Sequence, residues 1–324
     1  MTDRGARPRE RTDEIGGGEI GSGDDRLDDD RLADDRLDDV EPLLTTSRLG
    51  RRHVHLQTCG STNDVLAALA RTGGPGPTGG GPESESESAS ATARAPAPAP
   101  EGTLVTAEAQ SGGRGRMGRV WHSPPGSNLY LSVLLRPAGP TATIPPLTLL
   151  AGGALAETLG QLEVDARLKW PNDLLLRPRG RTDLPFRKVA GILTEAATEG
   201  TRVCHVVLGI GVNVNVAAFP PDLADRATSL RLATGRTMAR APLLAALLAE
   251  LERAYDAFQA RGAEVAIARW ERHALLGGRC RARGVGGEIE GRTTGVGPDG
   301  ELLVRDGRGV VHRVFSGEVV PLPD

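Results

Sequence analysis

Between Thr103 and Asn215, short runs of branched and aromatic residues alternate with turn-forming loops and one longer apolar stretch, and this pattern restricts the fold more than any other feature of the chain. The runs TLVTAEA, NLYLSVLL, EVDARLKW, KVAGILTE and HVVLGIGVNV have strand length, whereas Pro146 to Leu162 has helix length. A strand half buried on one face needs a second layer against it. The alternation therefore predicts an α+β fold, a central mixed β-sheet flanked by helices. Two further helices are expected. Ser61 to Arg71 begins STND, with Ser61 as cap and Asp64 completing a capping box. Pro242 to Phe258 places Leu244, Leu247, Leu248, Leu251, Tyr255 and Phe258 on one face. After the Gly277-Gly278 break, short β segments separated by turns such as Pro298-Asp299-Gly300 predict a small C-terminal β-barrel over residues 277–322.

Two segments fall outside this pattern. Residues 1–45 are rich in Asp, Arg and Gly, repeat DDRL imperfectly from Asp24 to Asp39, and read as a disordered acidic tail, because such a composition buries too little surface to offset chain entropy. An acidic arm that contacts a basic partner is the alternative reading. Thr72 to Gly102 is rich in Gly, Pro and Ser and reads as a low-complexity insertion rather than a boundary. The division expected is a tail at 1–45, a ligand-binding domain at 46–276 and a small domain at 277–324. A net charge of -3 excludes a generally basic nucleic-acid or membrane-surface protein. Three separated cysteines without CxxC pairing argue against a disulfide framework or structural zinc and suit a reducing cytoplasm. No apolar run has the length of a signal core or a membrane span.

Lysine occurs only at Lys169 and Lys188 in this arginine-rich chain, in RLKWPNDLLL and RKVAGILTE. An ammonium is a slim point charge that meets a carboxylate or phosphate oxygen end-on where a guanidinium fork does not fit. Chance in an arginine-biased composition is the other explanation. QSGGRGRMGRVW, from Gln110 to Trp121, joins four glycines to three arginines. Its backbone can pass close to a ligand while its guanidinium groups reach oxyanions, although a merely flexible surface loop has the same look. Gly113, Gly115 and Gly118 spell GxGxxG, but turn and strand follow where a dinucleotide site needs a helix. In KWPND, Asn172 and Asp173 follow a strand exit. They suit a plain turn, or a site where Asp173 positions magnesium on a nucleotide. Gly191 lets the backbone approach a ligand, and Asn213, in GIGVNVN, is either a turn former or a ribose or base ligand. The histidines show no metal-ligand spacing, and no Ser-His-Asp or Cys-His nucleophile set is readable.

Taken in order, STN, QSGGRGRMGRVW, SPPGSNLYLS, KWPND, KVAGILTE, GIGVNVN and ATSL resemble the motif series of the biotin protein ligases over about residues 50–322. The resemblance implies the mixed sheet with flanking helices, an SH3-like C-terminal barrel, and a two-step reaction. Biotin and MgATP would give biotinyl-5'-AMP and pyrophosphate, and a lysine of a biotin carboxyl carrier domain of an acyl-CoA or pyruvate carboxylase would then take the biotinyl group. It further implies that Ser61, Thr62, Asn63, Gln110, Gly113, Arg114, Arg116, Lys188, Gly191 and Gly209 line the biotin side. Arg119, Trp121, Lys169, Asn172, Asp173, Lys188 and Asn213 would serve the nucleotide, with Arg114, Arg116 and Lys188 as catalytic cations and Asp173 toward Mg2+. No tightly bound prosthetic group is expected, nor a membrane or nucleic-acid partner, because an Asp-rich segment stands where repressor members carry a helix-turn-helix. A cytoplasmic monomer or weak homodimer is expected. The rival with the same architecture is a lipoate or octanoate ligase, and a non-catalytic biotin sensor is the rival from another class.

Overall fold

Seven strands pair in the order β1-β2-β3-β7-β6-β5-β4. They are β1 (His53–Cys59), β2 (Leu104–Gln110), β3 (Leu129–Leu135), β4 (Arg167–Lys169), β5 (Asp173–Leu176), β6 (Arg187–Glu199) and β7 (Arg202–Val212). Only β1 and β2 run parallel, so the sheet is mixed, as the alternating runs predict. The computed structural model describes residues 35–72, 97–181, 183–284 and 287–323. The tail up to residue 34 and most of the insertion, residues 73–96, lie outside these.

The period of two along β3 and β7 sorts side chains between two layers. Leu129, Leu131, Val133 and Leu135 of β3, with Val206, Leu208, Ile210 and Val212 of β7, enter the large core. That core is covered by α2 (Ile144–Gln161), α4 (Arg240–Arg261) and α5 (Ala263–Glu271), with the short α3 (Leu230–Thr234) at its edge. On the other face, Val105, Leu134 and Val207 pack under Leu66, Leu69 and Ala70 of α1 (Thr62–Thr72). Helix α1 spans only 11 residues, so it covers one end of this face. Beyond its N-terminus the strands carry Tyr130, Ser132, Gly191, Gly209 and Gly211, and there the sheet is open.

The C-terminal strands β8 (Arg279–Gly284), β9 (Gly287–Val296), β10 (Leu302–Arg305), β11 (Val311–Val314) and β12 (Glu318–Pro321) form a five-stranded antiparallel sheet of SH3-like type. It rests on the larger layer through buried contacts. Trp170 Nε1 donates to Gly300 O at 2.9 Å, and Val296 N donates to Glu271 Oε1 at 2.9 Å.

Three local expectations are corrected. EVDARLKW forms strand only over Arg167–Lys169, because Glu163, at φ 61°, turns the chain out of α2 and Val164 N bonds back to Leu159 O at 3.0 Å. Residues 35–45, read as part of a disordered tail, are packed: Leu37 and Val40 are fully buried in the large core, with Leu44 beside them. The end of the insertion is also structural, since Ala99 is buried under α1 and its N–H bonds to Leu69 O at 2.9 Å.

Glu252 of α4 ties the following segment down. Its carboxylate accepts the backbone N–H groups of Ser47, Arg48 and Leu49 at 2.7, 2.8 and 2.8 Å. Burial acts to raise its pKa, but the backbone hydrogen bonds outweigh burial and leave it below the ordinary value. A depressed carboxylate stabilises the fold above its unfolded pKa and loses that contribution as pH falls through the folded one. Glu252→Gln should therefore cost about 1–3 kcal/mol at neutral pH, and the deficit should shrink below about pH 4; denaturant melts at both pH values measure it.

Candidate functional site

The open end of the α1 face is a cleft of about 450 Å3. Its floor exists because β6 and β7 carry glycine wherever another side chain must lie against the strand. A Cβ at Gly211 would come within 2.6 Å of the Trp121 indole, and one at Gly191 within 3.0 Å of the same ring and 3.1 Å of Lys188 Nζ. A Cβ at Gly209 would collide with the Asn63 amide. Alanine at any of the three would push these groups off the sheet.

One wall is the N-terminus of α1. Thr62 N donates to Gln110 Oε1 at 2.9 Å, so the end of β2 caps the first turn of the helix. Gln110 Nε2 donates to Ser123 Oγ at 3.1 Å. The buried Ser132 hydroxyl lies 2.6 Å from Asn63 Oδ1 and 2.8 Å from Thr62 Oγ1, and Asn63 Nδ2 donates to Glu195 Oε2 at 2.6 Å. Asp64, expected in a capping box, meets Arg114 Nη2 at 2.8 Å.

Cations form the opposite side, each held by carboxylates. Lys188 Nζ lies 2.5 Å from Asp173 Oδ1 and 5.3 Å from the centre of the Trp121 ring, a cation–π distance. Arg114 Nη2 donates to Glu195 at 2.8 and 3.0 Å. Both pairs are partly exposed, so solvent screens them and their carboxylates can be exchanged for a ligand's oxyanions. Trp121 Nε1 is buried with no hydrogen-bond partner among the described residues.

The cleft brings together Ser61, Thr62, Asn63, Gln110, Arg114, Trp121, Asn172, Lys188, Gly191 and Gly209 from the expected set. Gly113 lies just behind, tight against Ser123 and the Trp121 carbonyl. Asp173 reaches the cleft through Lys188. The remaining four stand elsewhere. Arg116 lines an adjacent, more apolar groove of about 650 Å3 with Ile192, Thr194, Trp170 and Phe315, where burial lowers its pKa. Arg119 pairs with Glu318 of β12 at 2.7 Å. Lys169 is opposite Asp173 in the β4–β5 ladder and does not line the cleft. Asn213 is buried and donates from Nδ2 to Thr228 O at 3.1 Å, which makes it the brace of the ATSL turn.

Tyr130, Ser132, Leu193, Glu195 and Gly211 were missed as site residues. They were legible as strand but not as site, since the side of the sheet that stays open depends on where α1 stops. The Gly209-x-Gly211 spacing was the available signal, because two glycines on the same face of a strand leave a bare stripe. The loop Arg114 to Val120 closes on itself by a β-bridge and is followed by turn and strand, without the helix a dinucleotide fingerprint requires.

A model of the biotin/lipoate A/B protein ligase family matches residues 91–213. The bifunctional ligase/repressor BirA of Bacillus subtilis is 38% identical over 223 residues, 68% of this chain and 66% of that protein, so the chain spans about two thirds of that relative's length. The biotin–[acetyl-CoA-carboxylase] ligase of Mycobacterium tuberculosis is 33% identical over 229 residues, 68% of this chain and 80% of that protein. Among solved structures, the biotin protein ligase from Aquifex aeolicus in complex with biotin and ATP has a TM-score of 0.64 at 26% identity, covering 85% of this chain and 100% of that one. By this likeness in sequence and fold, the chain belongs to the biotin/lipoate A/B protein ligase family, among its biotin protein ligases.

Proposed function

We propose that this protein is an ATP-dependent biotin protein ligase that forms biotinyl-5'-AMP and transfers the biotinyl group to a lysine of a carboxyl carrier domain. The observation that carries the reading is the pairing, in one glycine-floored cleft, of Lys188 and Arg114 with a neutral amide and hydroxyl wall of Thr62, Asn63, Gln110 and Ser132. Adenylation brings an anionic carboxylate to an anionic phosphate. In the first step a carboxylate oxygen bonds to the α-phosphorus and the bond to the pyrophosphate oxygen breaks. Cations that offset the repulsion and the charge developing at phosphorus lower that barrier. Lys188, at the start of β6, is the cation nearest the floor, Arg114 approaches from the glycine-rich loop, and Arg116 of the same loop stands in the adjacent groove. In the second step the acceptor amine attacks the acyl carbon and AMP leaves, its proton lost to solvent or phosphate.

Trp121, Asn172 and Asp173 would serve the nucleotide side. Among the described residues no group of three or more His, Cys, Asp and Glu side chains could hold a metal ion by themselves. A magnesium ion arriving on the nucleotide phosphates needs only one protein carboxylate, and Asp173 suits that place. Arg119, Lys169 and Asn213 would act at a distance from the reacting atoms, Arg119 through its tie to β12 and Asn213 through the ATSL turn. No helix among the described residues is long and apolar enough to cross a membrane.

Pyrophosphate release from MgATP, measured with biotin, lipoate, octanoate or no acid, tests the reading. Release that requires biotin, followed by labelling of a carboxyl carrier domain, is expected; release with lipoate or octanoate instead would transfer the site to that chemistry. Lys188→Ala should lower the single-turnover rate of adenylate formation by about a hundredfold or more. Lys188→Arg should recover little of it, since the larger fork has no room between Gly191 and the Trp121 ring. Arg116→Gly opens the loop where it meets the second groove. That variant should release biotinyl-5'-AMP and label lysines of bystander proteins, and retention equal to wild type would contradict a closing role for the loop.

A further inference from the structure

The most buried charged cluster in the described structure stands outside the cleft. Arg240 opens α4 and its side chain is 7% exposed, and Asp35, at the start of the packed N-terminal segment, is 5% exposed. Asp35 Oδ2 accepts from Arg240 Nε at 3.1 Å, while Asp35 Oδ1 accepts the N–H of Ala241 at 2.9 Å. The residue at the helix's own N-cap position, Ala239, has no side chain to do this. A carboxylate from 206 residues away therefore caps α4. Of its other nitrogens, Nη2 donates to the Asp35 carbonyl at 3.0 Å, and Nη1 reaches Glu108 of β2 and Asn128 just before β3. Nη1 donates to Glu108 Oε2 at 2.7 Å and to Asn128 O at 3.3 Å.

From Asn128 a chain of hydrogen bonds runs to the cleft. Asn128 Nδ2 donates to Tyr130 Oη at 2.9 Å, and Tyr130 Oη donates to Pro124 O at 2.9 Å. The next residue back, Ser123, accepts from Gln110 Nε2, whose Oε1 caps Thr62. Glu108 also holds this turn by its carbonyl, which accepts Gly126 N at 3.3 Å. Buried at Asn128 and Tyr130 and hydrogen-bonded at each step, such a chain has few alternative arrangements.

We propose that Asp35 is a positioning residue for the biotin end of the cleft, acting through Arg240 on the Ser123–Asn128 turn and so on Gln110 and Tyr130. The segment around it is then part of the enzyme rather than a tail. Leu37 and Val40 supply its packing, whereas Asp35 supplies the direction in which Arg240 points. An arginine clamped between Asp35 and Glu108 presents its fork to Asn128 in one orientation. Without the Asp35 carboxylate, Arg240 keeps Glu108 and the carbonyls of residues 35 and 128 but loses the anchor at Nε that fixes the plane of its guanidinium. The proposal rests on the ligase reading for its kinetic form but not for its structural form.

The test compares full-length Asp35→Asn, Arg240→Lys and Leu37→Ala. Asparagine keeps an oxygen for Ala241 but turns an amide donor toward Arg240, and lysine keeps the charge but loses the fork. Both should raise the KM for biotin in pyrophosphate release by about tenfold, with kcat changed by less than about twofold. Leu37→Ala removes packing from the same segment and should lower the melting temperature while leaving the biotin KM at the wild-type value. An unchanged biotin KM in the Asp35 and Arg240 variants, or an equal rise in the Leu37 variant, would overturn the proposal. Amide hydrogen exchange over residues 123–128 reads the coupling without catalysis. Exchange there should be faster in Asp35→Asn and Arg240→Lys than in wild type, and unchanged exchange refutes the positioning. If wild type releases no pyrophosphate with any acid, the ligase reading fails while this comparison still decides the role of Asp35.

Discussion

Everything at the cleft depends on the long antiparallel pairing of β6 with β7 and on the absence of side chains at Gly191, Gly209 and Gly211. Glycine inside a strand weakens it through chain entropy and lost packing. Here the opposite face of the same strands compensates, because Ile192, Leu208, Ile210 and Val212 are buried in the large core. One sheet thus stabilises the fold on one side and leaves a bare surface on the other. Asn63 and Trp121 fill part of that surface, and their positions are set by backbone they could not approach if a methyl group intervened.

Electrostatics gives the cleft its resting character. Each cation that faces it is paired with a carboxylate of the protein, Lys188 with Asp173 and Arg114 with Glu195 and Asp64. Because these pairs are partly exposed to solvent, they hold the cations in place at little energetic depth. An arriving carboxylate or phosphate replaces one anion with another, so the reorganisation on binding is small. Buried pairs such as Asp35 with Arg240 behave differently. Arg240 lies there between two carboxylates, Asp35 and Glu108, and the cost of leaving a buried charge short of partners is why such pairs specify geometry.

Much of the fold was legible because the apolar periodicities are local. The helices at 61–71, 146–162 and 242–258 appear at 62–72, 144–161 and 240–261, with ends that differ by caps and turns. Helix α5 was not read, since Ala263–Glu271 is short and has one large buried residue, Trp270, among small alanines. Strand β1 was missed because HVHLQTC mixes histidines into a half-buried edge. Residues 35–45 looked like the acidic tail before them, and nothing in their composition shows that Arg240 and the base of α4 are waiting for a carboxylate.

The sequence alone determined the α+β layering, the small β domain at its end and the family motifs, because each is carried by spacing within a few residues. Only the tertiary structure decided which of the named residues share the cleft. Lys188 and Arg114 reach it, whereas Arg119 is drawn to Glu318 and Asn213 to Thr228. It alone also joined Asp35 to Arg240 across 205 residues. Hydrogen bonds and ion pairs at that separation leave no periodic trace in a chain; they exist only once the packed layers have brought the partners within about 3 Å of each other.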